Sequence, residues 1–221
     1  MSLLTPFAYP TAAHAHKHAP AGYTEYQAYK PWLRDEFVFR CVYCLKRETW
    51  GSSVSGHAEL GADHFEPQSL NEELAATYTN LIYACNDCNS YRRAEPLPIN
   101  PLTTPLADHL VVDDRGKITG KTTAGQDFID LFDLDAPGRD RLRADRLAVL
   151  RAKQSHPDDP DIDAIYRRAF GYPAVLPDLT ALKPPAGNGK EGSETDSCHA
   201  RRLRNEPPDV YQSSYYNNPF P

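Results

Sequence analysis

The apolar and polar positions of this chain follow short patterns that predict several small elements rather than one large sheet. Apolar side chains recur at three- and four-residue spacing at Tyr26, Tyr29, Leu33 and Phe37. This spacing predicts an amphipathic helix over residues 23–37. Residues 1–22, which include "AHAHKHAP", lack such a pattern, and their composition predicts a flexible N-terminal arm.

The next segments predict short strands around two cysteine pairs. "FVFRCVYCLKRE" indicates a strand that runs into the first pair, and "LGADHFEP" indicates a short strand ended by Pro67. "NLIYAC" places apolar residues directly before the second pair. A helix is then expected to start near Asn86 or Asp87, both of which are good N-cap residues, and to end before Pro96.

The second half of the chain predicts a hairpin followed by helices. "HLVVDDRGKITGKT" predicts a hairpin that turns at Asp113 to Gly116. "AGQDFIDLFDL", an arginine-rich stretch after Pro137 and "DIDAIYRRAF" predict three helices. We therefore expect a core over residues 23–100, a helical extension with a hairpin over 101–178, and a disordered tail over 179–221, where the composition becomes polar.

Composition and charge restrict the possible function classes. The chain has 221 residues, 40% of them apolar, and a net charge of −6, which argues against simple electrostatic adhesion to nucleic acid. The sequence has no cationic start followed by an apolar run, and no apolar stretch of membrane-spanning length. We expect a cytoplasmic protein that does not bind membranes.

Five cysteines indicate a metal site rather than a disulfide framework. Four of them form two Cys-x-x-Cys pairs, Cys41 with Cys44 and Cys85 with Cys88, whereas Cys198 stands alone. In a reducing compartment two such pairs favour a structural zinc site with four thiolate ligands. Free thiols and an iron–thiolate centre are the alternatives.

A second group of residues has the chemistry required to cleave a phosphodiester bond. Asp63 and the side-chain oxygen of Asn89 are suitable ligands for magnesium or manganese, which would offset charge that develops on the phosphate. His64 is suited to take a proton from the attacking water. Adjacent strand residues point to opposite faces, so Asp63 and His64 can share a metal site only if the backbone distorts there.

The stretches "ADHFEPQS", "NLIYAC" and "CNDCNSYRR" together resemble the HNH endonucleases over roughly residues 37–95. The resemblance implies a ββα fold around one divalent metal, with DNA as substrate. It also implies a role for each matching residue: His64 as general base, Asp63 and Asn89 as ligands of the catalytic metal, Asn80 as the residue that orients the catalytic loop, and the four paired cysteines as ligands of a structural zinc. Arg92 and Arg93, one turn further along the helix, can reach flanking phosphates, or they can form an exposed helix end where cations favour the helix dipole.

Residues 100–155 resemble the C-terminal extension of HNH proteins from bacterial anti-phage systems of the Septu and retron-associated kind. That resemblance implies a defence effector that works beside an ATPase partner. Two other functions are open: a zinc-stabilised module that binds nucleic acid without cleaving it, and an effector that is active only with its partner. The Asp63–His64 pair favours the enzyme, because a module that only binds does not need it.

Overall fold

A computed structural model of the chain describes residues 6–51, 59–206 and 208. Within these residues helices are combined with two small antiparallel sheets of two strands each. The strands are β1 (Leu60–His64), β2 (Leu81–Cys85), β3 (Leu110–Val112) and β4 (Ile118–Gly120). The α-helices are α1 (Lys30–Glu36), α2 (Asn86–Arg92), α3 (Thr123–Phe132), α4 (Pro137–Ser155), α5 (Pro160–Phe170) and α6 (Cys198–Leu203). This combination confirms the predicted α+β fold class.

The chain divides into two compact units, and each unit contains stretches that are distant in sequence. Of the described residues, the cysteine unit contains 15–51, 59–97, 173–206 and 208, and the hairpin unit contains 6–14 and 98–172. Residues 1–5, 52–58, 207 and 209–221 lie outside the described residues. The site residues predicted from the sequence all belong to the cysteine unit.

The strands and helix that contain the predicted site residues form a ββα arrangement. β1 and β2 pair antiparallel, with Asp63 opposite Ile82 and His64 opposite Leu81. All five residues of β2 are buried, as expected for a strand that is covered on both faces. α2 begins directly after Cys85 and ends at Arg92, which confirms the predicted position of this helix within one or two residues at its start.

α1 supplies the main apolar contacts of this unit. The predicted helix over 23–37 begins as a 3-10 helix at Tyr26–Tyr29 and continues as α1. Tyr29, Leu33 and Phe37 of the predicted stripe are buried, which confirms that this part of the stripe faces the core, whereas Tyr26 is half-buried. Pro31 lies in the first turn of α1, where a missing N–H group costs nothing.

The strand expected from "FVFRC" is wrong. Val38, Phe39 and Leu45 have positive φ angles of 49°, 58° and 60°, which an extended strand excludes. Only an isolated bridge joins Arg40 to Arg47. The chain turns sharply here because the first cysteine pair sits in a tight loop, in which the Leu45 N–H donates to the Cys41 carbonyl at 3.0 Å.

Two described stretches near the ends of the chain, residues 6–22 and 179–206, are more ordered than the sequence predicted. Residues 179–206, expected to be disordered, contain two 3-10 helices and α6. The expected flexible arm includes His18, which is completely buried. Its imidazole lies 2.8 Å from an oxygen of Asp35 and 2.8 Å from the Ser193 hydroxyl. The prediction differs because short polar segments here satisfy buried charges, an effect that composition does not reveal.

The hairpin unit contains the predicted hairpin and three helices. β3 and β4 pair antiparallel, and the turn includes Gly116 with a φ angle of 86°. In the arginine-rich helix α4, the Arg143 side chain is buried and donates to the carbonyls of Gly116 and Leu134. This arginine therefore stabilises the fold. None of the helices in the described part of the chain combines the length and apolar character needed to span a bilayer.

Candidate active site and metal centres

The four paired cysteines converge on one buried point. The sulfur atoms of Cys41, Cys44, Cys85 and Cys88 all lie within 4.8 Å of one another, and all four residues are buried and free of disulfides. The Cys44 and Cys85 sulfurs are 3.7 Å apart. Four sulfurs at about 2.3 Å from a tetrahedral zinc ion are separated by roughly 3.8 Å. The donor set and its dimensions therefore fit zinc.

The buried environment of Cys41 supports the same interpretation. Burial raises the pKa of the Cys41 thiol well above its ordinary value, because a thiolate without a nearby cation is unstable in an apolar environment. A coordinated metal ion removes this penalty and deprotonates the thiols. Four buried thiols at one point are thus best explained as ligands that the metal itself ionises.

Asn80 stabilises the loop between β1 and β2 through side-chain hydrogen bonds. Its side-chain oxygen accepts from the Glu66 N–H at 2.7 Å, and its amide nitrogen donates to the carbonyls of Glu66 and Leu74 at 3.1 and 3.2 Å. The residue is only 5% exposed, so these bonds compete little with water. Asn80 therefore joins Glu66 and Leu74, two residues of this loop, through one side chain.

His64 lies at the end of β1 with one ring nitrogen fixed. Its Nε2 is 2.9 Å from the carbonyl oxygen of Ala75, which can only accept, so Nε2 carries the proton. The other nitrogen, Nδ1, therefore retains a lone pair. The ring of Tyr26 packs edge-on against the imidazole, with 4.6 Å between ring centroids. In the neutral form of this ring, Nδ1 is therefore the nitrogen that can accept a proton.

Asp63 is buried, and both of its carboxylate oxygens accept hydrogen bonds. Oδ2 accepts from the Tyr43 hydroxyl at 2.6 Å and from Arg92 Nη1 at 3.0 Å, whereas Oδ1 accepts from the His64 N–H at 2.8 Å. Burial, followed by the charge of Asp63, raises the pKa of Tyr43 well above its ordinary value, so this phenol remains a donor. Oδ1 keeps a lone pair that can bind a cation.

The structure contradicts the expectation that Arg92 contacts flanking phosphates. Its side chain is completely buried, and it donates to the backbone carbonyls of His64 and Phe65 in addition to Asp63. A guanidinium group enclosed by these acceptors has no donor directed to solvent. Arg92 instead joins the end of α2 to the end of β1.

Asn89 and Arg93 are exposed, as their expected roles require. Asn89 precedes Arg92 by three residues, so the two side chains are neighbours on the surface of α2. Arg92, one turn further on, contacts Asp63. Among the described contacts, however, none joins the Asn89 side chain directly to Asp63 or His64.

Two contributors to this site were missed in the sequence. Tyr43 lies between the cysteines of the first pair, and Tyr26 belongs to a stripe that indicated only a helix face. The position of Tyr43 inside a Cys-x-x-Cys pair was a usable signal, because a zinc site holds that residue rigidly. The Ala75 carbonyl had no sequence signal at all, since any residue supplies a carbonyl.

A comparison with known protein families finds a match to the region that contains these residues. Residues 41–95 match the family model described as HNH endonuclease. The HNH-type segment covers about a quarter of the chain and includes both cysteine pairs, Asp63, Asn80 and α2. No curated protein and no solved structure shows significant similarity to the chain.

Proposed function

We propose that this protein is a metal-dependent endonuclease of the HNH type that hydrolyses phosphodiester bonds in DNA. The observation that supports it best is the geometry of His64, whose Nε2 lies 2.9 Å from the Ala75 carbonyl and whose Nδ1 has no described hydrogen bond within residues 6–51 and 59–206, inside a segment that matches the family model. A histidine held in one tautomer by a backbone carbonyl is suited to general-base catalysis near neutral pH.

In this proposal each predicted site residue of the HNH-type segment has its own task. Nδ1 of His64 takes a proton from the water that attacks phosphorus. Asp63 Oδ1 and the Asn89 amide oxygen hold magnesium or manganese, which supplies stabilisation of negative charge on the phosphate and the leaving oxygen. Asn80 keeps the loop in place and thereby fixes the carbonyl that holds His64, since Leu74 and Ala75 are adjacent.

The four cysteines hold a structural zinc, and Arg93 contacts a flanking phosphate. Zinc at Cys85 and Cys88 fixes the first turn of α2, and Asn89 follows at once. Arg93 is exposed at the end of α2, where a cation can reach the nucleic-acid backbone. Arg92, in contrast, acts inside the protein.

We further propose a cytoplasmic anti-phage effector whose partners are DNA and an ATPase. The support is the resemblance of residues 100–155 to the extensions of such effectors, together with a net charge of −6. An acidic chain gains little from non-specific attraction to DNA, so a partner that delivers substrate is useful to it. Co-purification of an ATPase with the protein tests this part of the proposal.

A plasmid-nicking assay tests the enzymatic activity. The wild-type protein should nick supercoiled DNA with magnesium or manganese and lose activity with EDTA. His64→Ala should reduce the rate by about 100-fold or more, the usual contribution of a general base. His109→Ala is the matched control, because His109 belongs to the hairpin unit and contacts Thr122. Nicking that survives both EDTA and His64→Ala would contradict the mechanism.

One observation favours the alternative, a zinc-stabilised module that binds nucleic acid without cleaving it. Asp63 already has three protein donors, an arrangement that a purely structural aspartate would also show. The same preparation separates the two functions. A module that only binds retards DNA in a gel with zinc present, yet it leaves the plasmid intact at every magnesium and manganese concentration.

A further inference from the structure

The Arg92 guanidinium group forms a buried ion pair with the carboxylate proposed to hold the catalytic metal. Arg92 is 0% exposed and Asp63 is 6% exposed. Arg92 Nη1 lies 3.0 Å from Asp63 Oδ2 and 3.2 Å from the Tyr43 hydroxyl, which donates to the same oxygen. The positive charge therefore lies inside the protein, directly behind the proposed metal ligand.

Buried charges interact strongly because little water screens them. The Asp63–Arg92 pair has no net charge, so a divalent cation approaching Oδ1 meets a neutral pair rather than a free carboxylate. The guanidinium cation on the far side of the carboxylate is the reason, because its repulsion offsets part of the attraction of the carboxylate for the metal. Asn89, the other proposed ligand, is neutral and cannot compensate for this repulsion.

We propose that Arg92 lowers the affinity of Asp63 for divalent cations, so that the metal binds firmly only when a substrate phosphate contributes negative charge to the same site. This regulation rests on the proposed nuclease function. It makes metal and DNA mutually dependent ligands, because each raises the affinity of the other by the same factor. The consequence is a site that does not retain a reactive metal when no DNA is bound.

A simpler role for Arg92 makes a different prediction. Arg92 also donates to the carbonyls of His64 and Phe65, and so joins α2 to β1 whatever its charge. If this link were its sole role, a neutral replacement would leave metal affinity unchanged or would weaken it through disorder at Asp63. If the charge matters, the neutral replacement strengthens metal binding.

Electron paramagnetic resonance of Mn²⁺ distinguishes these roles, because zinc is silent and protein-bound manganese loses the signal of the free ion. The full chain carrying Arg92→Gln should bind Mn²⁺ without DNA at least about tenfold more tightly than the wild type, as expected for removal of a like charge from a buried site. Arg92→Lys retains the charge and should stay within about threefold of the wild type. Adding Asp63→Asn to Arg92→Gln should abolish the gain.

Arg93→Gln is the matched control for manganese affinity, since it removes the same charge from the next residue, which is exposed. It should change that affinity by less than about twofold, because water screens exposed charges. Unchanged or weaker Mn²⁺ binding by a folded, zinc-loaded Arg92→Gln protein would overturn the proposal.

A measurement on the wild type covers the case in which Arg92→Gln does not fold. A phosphorothioate DNA duplex, which resists cleavage, should raise the Mn²⁺ affinity of the wild-type protein by at least about tenfold, and Asp63→Asn should remove that increase. Tight Mn²⁺ binding at Asp63 without DNA would refute the inference. These readouts do not depend on turnover, so a protein that binds manganese as proposed but never nicks DNA refutes the nuclease function alone.

Discussion

At the scale of single residues, the imidazole of His64 is restrained from two directions. The Ala75 carbonyl fixes Nε2, and the Tyr26 ring packs edge-on at 4.6 Å. The first contact sets the tautomer, and the second limits rotation of the ring. Because Tyr26 lies outside the HNH-type segment at 41–95, the catalytic base of our proposal depends on a residue that the family match does not include.

Tyr26→Ala should therefore lower the nicking rate by roughly tenfold or more, since small displacements of a catalytic group are costly. Tyr26→Phe keeps the ring and should restore most of the rate. Separate measurement of kcat and KM for each variant tests the positioning role, because a misplaced base lowers kcat while DNA binding is retained. Tyr23→Ala is the control, as Tyr23 packs on Tyr29 instead of His64. Equal losses in the Tyr23 and Tyr26 variants would show that Tyr26 acts only through stability.

The sequence reveals the identity of the site residues better than their partners. Asp63, His64 and Asn80 could be selected because few functions need those residue types in that order. The inward turn of Arg92 could not be predicted, since an arginine at a helix end is commonly exposed and favourable to the helix dipole. Its direction depends on the position of β1 in space, which local sequence does not encode.

At the scale of elements, the cysteine cluster joins α2 to the loop at Cys41 and Cys44. Cys88 and Asn89 are consecutive residues of α2, so the proposed zinc fixes the start of the helix that presents a proposed metal ligand. A structural zinc site can supply about 10 kcal/mol or more toward folding. The ββα unit is too small to obtain comparable rigidity from its own core.

Cys88→Ser should abolish zinc binding and unfold the HNH-type segment, because three remaining thiols hold zinc poorly. Metal analysis and circular dichroism on the purified variant check both effects. Cys198→Ala is the matched control, since Cys198 is buried but lies outside the four-sulfur group. That variant should retain about one zinc per chain, as a single four-thiolate site requires. A Cys88→Ser protein with native zinc content would exclude the assigned ligand set.

The elements themselves were predictable wherever local pattern decides them. β1, the hairpin and the helices of the second half all follow periodicity and turn residues. The segment before Cys41 was not predictable from local pattern. "FVFRC" has the composition of a strand, but the loop geometry requires positive φ at Val38 and Phe39. Tertiary constraints at the cysteine cluster override β propensity there.

At the scale of the whole chain, the core of the cysteine unit includes residues that lie outside the segment matched by the family model. Trp32 and Leu33 from α1 and Leu179 from the C-terminal stretch are completely buried. Asp35 accepts from His18 and from the Cys198 N–H. Burial alone would raise the pKa of Asp35, but His18 and Lys17 hold it below its ordinary value. This carboxylate therefore stabilises the fold above its unfolded pKa and loses that contribution as the pH falls.

Removal of residues 173–221 should consequently destabilise the cysteine unit, although none of these residues belongs to the HNH-type segment. Asp35 would lose the Cys198 N–H, and His18 would lose the Ser193 hydroxyl. Two lost hydrogen bonds at charged or buried groups correspond to a decrease of about 3 kcal/mol or more in the free energy of unfolding.

Urea unfolding of the zinc-loaded protein measures this decrease, and a chain that ends at Pro208 is the control because it keeps both contacts. Nicking should fall in parallel with stability in the shorter chain, since Asp35 is followed in α1 by Glu36, which accepts from the Tyr78 hydroxyl two residues before Asn80. If the chain ending at Tyr172 unfolds at the same urea concentration as the control, the C-terminal stretch does not stabilise the cysteine unit. The catalytic loop would then depend on residues 15–97 alone.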